Sequence, residues 1–436
     1  MKNLFERYLA LPHTRQFRDV SLADFKYEIE SRLNHLNISG LSIYLSDNDP
    51  IRFALTFLKL IELGASPIPV SPGHQRRGEA HSYLKDLNWQ HQNLSAARTA
   101  NCETYVCLSS GTTGEPKKIL LSTTGALINA KNHGDGFELG PGDRIIQTLP
   151  IHHSYGIVAY IFTPLVFGLG VDFCPGIVGL RSFKSISDHQ RILHVSPSQA
   201  RFILKDPFTE TRGLTKISVG AGALNFHELS VLNQKLPHIQ FYVSYGLTEA
   251  GPRVTAGKFS NSIKKFKDGW IGSVLNDIQA CVFREGKVES FGEGLLCVKT
   301  PCLMKNLAPS DFFGEWLKTR DMVQIDEDGE IYFLSRSDDI IKCGGVSIYP
   351  FEMENTIQNF QGGMTDVLVL KRSDPLYDEV PILFIEGEIN RAALDNFIND
   401  HFPQALAPRE IHILKKFPRL SLNKVDRTAL KSMIAL

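Results

Sequence analysis

The sequence predicts an α/β fold with a large N-terminal domain of mixed and parallel sheets and helices, followed by a small α+β C-terminal domain. Three observations carry that reading. Residues 41–45, 51–63 and 66–70 read as strand, amphipathic helix and strand, with Gly64 as the helix stop, and this β-α-β rhythm calls for a parallel, doubly wound sheet. A strand over 239–243 runs into the polar, glycine-bearing string SYGLTEAG, and the carboxyl ends of strands are where open α/β sheets bind their ligands. Beyond residue 338, strands at 367–370, 381–386 and 410–414 alternate with helices at 392–402 and 428–434, a pattern with its own small core.

Composition bounds the possibilities. The 436 residues are 43% hydrophobic, enough for sizeable cores in about three domains' worth of chain. Lys+Arg and Asp+Glu both total 47, so no overall field draws the chain to nucleic acid or to an anionic membrane. The seven cysteines are scattered without a C-x-x-C pair, which fits a reducing compartment better than a disulfide framework or a zinc site. The N-terminal stretch mixes charges among its apolar residues and lacks a signal-peptide h-region, so the expected location is cytoplasmic. The most apolar run, 157–173, is broken by Pro164, Gly168 and Gly170, and is expected to be buried core with no membrane insertion.

In chain order, Leu22, Phe25, Ile29, Leu33 and Leu36 recur at three- and four-residue steps after Ser21, which predicts a capped helix. The next feature of note is SSGTTGEPKK, residues 109–118, between the apolar runs 105–108 and 119–121, and therefore a loop joining two short strands. Gly111 and Gly114 let backbone N–H groups curl around an anion. The hydroxyls of Ser109, Ser110, Thr112 and Thr113 add donors, and Lys117 or Lys118 adds charge. This composition suits a polyphosphate, although its spacing differs from the ordinary P-loop and a strand follows where the P-loop has a helix. A helix over 123–132 and a strand over 143–149 lead into PIHHSYG, and KISVGAGAL, 216–224, reads as a strand entering a turn of small residues. Residues 318–335 form two strands about an Asp328-Gly329 hairpin turn, and Pro350 opens a helix.

Taken together, these strings resemble the signatures of the adenylate-forming superfamily, which comprises acyl- and aryl-CoA synthetases, peptide-synthetase adenylation domains and luciferases. The resemblance spans essentially the whole chain in five ordered motifs, and positions 106–117 satisfy the first of them throughout. The region between Pro72 and Ser109 is shorter than the family's usual insert. The resemblance implies domains at 1–337, binding ATP and the acyl group, and at 338–436, a mobile C-terminal lid hinged at Asp338.

The same resemblance implies the site. Ser109, Ser110, Gly111, Thr112, Thr113, Gly114 and Lys117 would hold the β- and γ-phosphates, and Gly222 in its small-residue turn would let a flat ring or chain lie against the backbone. Tyr245 would lie against the adenine, with Gly246 as a further matching cofactor-site position, Thr248 would reach the phosphates, and Glu249 would hold Mg²⁺. Asp321 would bind the ribose hydroxyls and Arg336 matches the family's following arginine, with Arg320 and Ser335 in place of the usual glycines. Lys424 corresponds to the catalytic lysine, with Asn423 replacing a glycine whose left-handed conformation asparagine tolerates. His153 matches a residue lining the acyl pocket, although a lone histidine is also a common core residue.

The implied activity is attack of a carboxylate on Mg·ATP to give acyl-AMP and pyrophosphate, then acyl transfer to the thiol of CoA or of the phosphopantetheine of an acyl carrier protein. No Asp or Glu occurs from 149 to 162 to hold an α-ammonium, so the expected substrate is a small carboxylic acid without an α-amino group. Tyr155 and Tyr160 favour an aryl acid over a fatty acid. The alternative is a non-catalytic ATP- or AMP-binding protein of the same fold.

Overall fold

The computed structural model describes residues 3–15, 21–72, 103–109, 117–174, 176, 190–205, 213–220, 222, 224–260, 267–360, 362–419 and 425–434. The expected capped helix spans Leu22–Leu33, where the Ser21 hydroxyl accepts from Asp24 N and the Asp24 carboxylate accepts from Ser21 N. The helix Pro50–Glu62 starts with Asp49 accepting from Ile51 N and Arg52 N, both at 3.0 Å, and with Pro50 where a missing N–H costs nothing.

The strands on either side of this helix, Ser42–Leu45 and Ser66–Pro69, pair in parallel with Ser42 opposite Ser66. They form a two-stranded sheet of their own instead of joining a larger one. Ser66 and Val70 donate their N–H groups to Leu41 and Leu45, so the alternate positions 67 and 69 face the other edge. Both are proline and have no N–H to offer a further strand. The neighbouring strand Thr104–Ser109 is reached instead by a side-chain bond, Ser66 Oγ to Thr104 Oγ1 at 2.7 Å.

A mixed sheet of 14 strands dominates the rest of the large region. Thr14–Arg15, Gly170–Phe173, Arg144–Gln147, Arg191–Val195, Leu214–Val219 and Gln240–Tyr245 lie side by side in that order, all parallel. From Gln240–Tyr245 onward the sheet turns antiparallel, through Thr255–Lys258, Trp270–Val274, Ile331–Arg336, Trp316–Ile325 and Gly292–Lys299 to Gln279–Arg284 and Lys287–Glu289. Gln240–Tyr245 is therefore the strand at which one half of the sheet hands over to the other.

Three parallel strands are also tied by charge. Asp172 accepts from Arg144 Nε at 2.8 Å and from Arg191 Nε at 2.9 Å, with all three residues buried. One carboxylate shared by two guanidiniums keeps each buried charge hydrogen-bonded.

The apolar stretch after Gly156 is core, as its composition suggests. Ile157 through Phe162 are fully buried, five of them in a π-helical turn, Val158–Phe162, before the short helix Thr163–Phe167 and a left-handed Gly168. Among the described residues no helix is long and apolar enough to cross a membrane.

The C-terminal strands build a separate five-stranded sheet from Val346–Ile348, Ile341–Cys343, Asp378–Gly387, Met364–Asp374 and Glu410–Leu414. Its apolar cluster draws on residues from Ile341 to Ile434, whereas the two clusters of the large region include no described residue beyond Phe333. The hairpin 364–387 is longer than the apolar pattern suggests, because pairing continues through charged residues to Asp374 opposite Asp378. There Asp374 Oδ1 accepts from Leu376 N and Tyr377 N and closes the turn.

Candidate active site

The Gln240–Tyr245 strand delivers Tyr245 to the point where the sheet changes direction, and the Trp316–Ile325 strand delivers Asp321 against it. The Tyr245 hydroxyl donates to Asp321 Oδ2 at 2.5 Å, and Arg336 Nε sits 3.0 Å from Oδ1. Asp321 and Arg336 are direct cross-strand partners, which fixes that ion pair by register. Asp321 is buried, and desolvation raises its carboxyl above the usual range against the opposing pull of Arg336 and Tyr245. Burial, reinforced by Asp321, pushes the Tyr245 phenol well up, so it stays a donor. Arg336, by contrast, is exposed.

Immediately after this strand the chain folds back tightly. A Cβ on Gly246 would sit 1.6 Å from the Pro252 carbonyl oxygen, so only glycine fits there. The return brings Thr248 and Glu249 into a 3₁₀ turn, Thr248–Ala250, closed by Gly251 at φ +99°. Thr248 Oγ1 lies 2.9 Å from Ser154 Oγ, which joins this turn to the PIHHSYG segment. Gly156 is likewise forced by contact, since a Cβ there would meet the Pro150 oxygen at 2.3 Å. The Glu249 backbone oxygen accepts from Met304 N at 2.9 Å, and its half-buried carboxylate has no hydrogen bond or ion pair among the described residues. A carboxylate held on a fixed turn with its oxygens uncommitted suits a hard divalent cation.

The strands flanking the SSGTTGEPKK string are described, and residues 110–116 between them are not. Thr104–Ser109 and Lys117–Ser122 pair antiparallel, with Ser109 opposite Lys117, so the loop joins two short strands as its flanks predict. Lys117 is exposed at the loop end of its strand, whereas Lys118 Nζ sits 5.8 Å from the Tyr44 ring centroid. Ser110, Gly111, Thr112, Thr113 and Gly114 lie outside the described residues, as does Lys424.

A strap over residues 300–306 ties this hairpin to the Glu249 turn. Lys305 N donates to Leu120 O at 2.7 Å, and Asn306 bridges Leu120 N and Lys118 O, while Met304 N holds Glu249 O. Cys302 wedges between two glycines, since a Cβ on Gly125 or on Gly251 would approach it to 3.3 Å or 2.5 Å. The six cysteines among the described residues are buried free thiols.

In the PIHHSYG segment, His153 is half-buried at the start of the Ser154–Ile157 helix, with its ring 4.6 Å from that of His152. Burial pushes the His152 imidazole down to about 4, so it is neutral near pH 7. Gly222 is exposed, and a Cβ there would touch Pro197 at 3.0 Å. Gly220 backs onto Tyr155, whose ring edge would be 3.0 Å from a Cβ at that position.

Sequence reasoning missed Arg253, which is 2% exposed and sits directly behind Tyr155. Its guanidinium carbon is 3.1 Å from the Tyr155 ring centroid, and its Nε donates to His133 Nδ1 at 2.9 Å. The only sequence signal was an arginine two residues past SYGLTEAG, between Pro252 and Val254, and nothing in the string says that it is buried.

The chain is 25% identical over 351 residues to 4-coumarate–CoA ligase 2 of Oryza sativa subsp. japonica, covering 75% of this chain and 61% of that one. It is 25% identical over 334 residues to 2-succinylbenzoate–CoA ligase of Bacillus subtilis (strain 168), covering 74% and 67%. The chain thus matches about three fifths of the length of the first of these relatives. In fold it is similar to o-succinylbenzoate CoA synthetase (MenE) from Bacillus subtilis in complex with the acyl-adenylate intermediate OSB-AMP, at TM-score 0.82, 20% identity and coverage of 98% and 97%. It is also similar to ATP-bound MatB from Rhodopseudomonas palustris, at TM-score 0.81, 18% identity and coverage of 99% and 98%. The family model described as AMP-binding enzyme matches residues 54–307, more than half of the sequence and the part that holds the Tyr245, Thr248 and Glu249 turn. The chain belongs to the AMP-binding enzymes of the adenylate-forming superfamily.

Proposed function

We propose that this protein activates a carboxylic acid with ATP as an acyl adenylate, releasing pyrophosphate, and passes the acyl group to the thiol of CoA or of a carrier-protein phosphopantetheine. The observation that carries the reading is the contact of Tyr245, Asp321 and Arg336, contributed by three different strands, beside the Thr248–Glu249 turn that follows Tyr245. Asp321 offers a buried carboxylate to ribose hydroxyls, and Tyr245 offers a ring held in place by its own hydroxyl. Thr248 supplies a hydroxyl donor, and Glu249 would hold Mg²⁺, which neutralises phosphate charge when bound.

Residues 109–117 would enclose the β- and γ-phosphates, with the exposed Lys117 at the loop's end. Lys424 would bridge the reacting carboxylate and the α-phosphate and stabilise the charge that gathers there. Residues 338–436 would act as a lid turning about Asp338 over the 1–337 region. Separate apolar cores on the two sides of that position support such a motion. Closure would keep water from the mixed anhydride.

Relatives named as 4-coumarate–, 2-succinylbenzoate– and indoleacetate–CoA ligases favour an aryl acid and CoA, and Tyr155 packed on Gly220 fits a ring lying on small residues. Buried free thiols agree with a cytoplasmic protein. The test is acid-dependent exchange of labelled pyrophosphate into ATP across a panel of aryl and fatty acids, followed by thioester formation with CoA or a carrier protein. Exchange with at least one acid is expected. If no acid supports exchange while ATP or AMP still binds, the protein is a non-catalytic nucleotide binder.

A further inference from the structure

Three buried arginines in the large region invite comparison. Arg144 and Arg191 share the Asp172 carboxylate. Arg253 is as deeply buried, yet among the described residues no carboxylate forms an ion pair with it. Its neighbours are neutral. Burial, together with Arg253 itself, holds His133 and His194 well below the ordinary imidazole range, and burial holds the Tyr160 phenol up. Arg253 Nε is committed to His133 Nδ1, and its backbone is clamped by Asn129, which accepts from its N–H and donates to its carbonyl. Nη2 is buried without a partner. A fixed, desolvated guanidinium without a counter-charge is costly, and the same arrangement binds an anion strongly once one arrives.

Its position says which anion. Arg253 stacks on one face of Tyr155, and Tyr155 packs against Gly220 and hydrogen-bonds to His194 Nδ1 at 3.1 Å. Gly246, which precedes the Thr248–Glu249 turn, lies on the Pro252–Arg253 backbone, with a Cβ there 3.1 Å from Arg253 Cα. The unpaired cation thus lies behind the acyl side, just below the turn that would hold the reacting end. Resting on the acid-activation reading above, we propose that Arg253 with Tyr155 forms a subsite for a second carboxylate, so that the preferred substrate is a dicarboxylic acid activated at one end and held by Arg253 at the other. Arg253 is then a specificity-determining residue. The lack of Asp or Glu over 149–162 fits an acid without an ammonium, and presence of the buried arginine adds a positive requirement.

The test uses the full chain and pairs of acids that differ only by the second carboxylate: benzoate with phthalate, cinnamate with 2-carboxycinnamate, hexanoate with adipate. In pyrophosphate exchange the wild type should favour the dicarboxylate of at least one pair by about 10²-fold in kcat/KM, and Arg253→Met should bring that ratio to within a few-fold, mainly through KM. A wild type without the preference, or a variant that keeps it, overturns the proposal. Thermal unfolding with each acid gives a readout free of turnover: dicarboxylates should raise the wild-type midpoint more than their partners do, and should not do so for Arg253→Met. If no acid supports exchange, the activation reading falls, and this differential shift alone decides the subsite, which stands if the shift is present and falls if it is not. Removing an uncompensated charge should leave the variant's own midpoint unchanged or raised. A midpoint well below wild type, or failure to fold, makes Arg253 a structural strut and overturns the proposal.

Discussion

Arg320 Nη1 lies 3.2 Å from Asp338 Oδ2, so the residue that stands where the family has glycine reaches the position expected to be the hinge. Both side chains are 59% exposed, which puts such a pair at about 0–1 kcal/mol. A pair of that strength would bias one orientation of the C-terminal region without locking it. Asp338→Pro should retain acid-dependent pyrophosphate exchange and lose thioester formation, because proline fixes φ near −65° and restricts rotation. Thioester made at the wild-type rate would put the hinge elsewhere. Arg320→Ala should change the thioester rate by no more than a few-fold, and that change should shrink as salt is added.

Lys424→Ala is expected to lower adenylation by about 10² to 10³ while the fold is kept, since one transition-state donor is lost. The rate of acyl-AMP formation with a good acid, together with a thermal midpoint, checks this. Full adenylation in the variant would move the catalytic lysine to another position.

Glu249→Gln should raise the Mg²⁺ concentration needed for half-maximal exchange by about tenfold or more, because an amide offers a hard cation no charge. The backbone bond from Met304 to Glu249 O survives the change, so stability should stay within about 0.5 kcal/mol of wild type. A Mg²⁺ titration that overlays the wild type would remove Glu249 from the metal site.

Glu354 provides a pH test in the C-terminal core. Burial raises its carboxyl to about 7, against the opposing effects of Arg427 and of the Val369 N–H that donates to it. The folded pKa is above the unfolded one, so the protonated form's contribution is complete below about 4.5 and is lost as pH rises through about 7. Glu354→Gln keeps a neutral acceptor for Val369. Its stability relative to wild type should therefore grow between pH 4.5 and 7 and then level, by about 3 kcal/mol at most. Parallel melting curves across that range would show that Glu354 titrates normally.

The periodic and punctuated parts of the fold were legible in the sequence. Ser21 and Pro350 announce their helix starts through local chemistry, and the hairpin at Asp328-Gly329 closes with Gly329 N donating to Asp326 O. The small parallel sheet was not legible, because the pattern of 66–70 reads as an inner strand and only the ladder shows that Pro67 and Pro69 face its open edge. At the site, Tyr245, Asp321 and Arg336 could be named one by one. Their mutual contact depends on strands meeting across 76 and 15 residues of sequence. Arg253 stayed hidden for a further reason. What singles it out is the lack of a carboxylate paired with it among the described residues, and a linear string does not encode that.

The strap over 300–306 has a mechanical corollary. Leu120, held by Lys305 and Asn306, and Glu249, held by Met304, are remote in the chain yet fastened to one short crossing segment. A single backbone cut between Ser109 and Lys117 would leave two fragments still registered by six ladder pairs, while the strap holds the second strand to the Glu249 turn within the C-terminal fragment. The protein is a candidate for splitting at that point and reassembling from separately expressed halves. The nicked form would keep the Glu249 turn aligned with the second strand and lose only the continuity of the chain between the two strands.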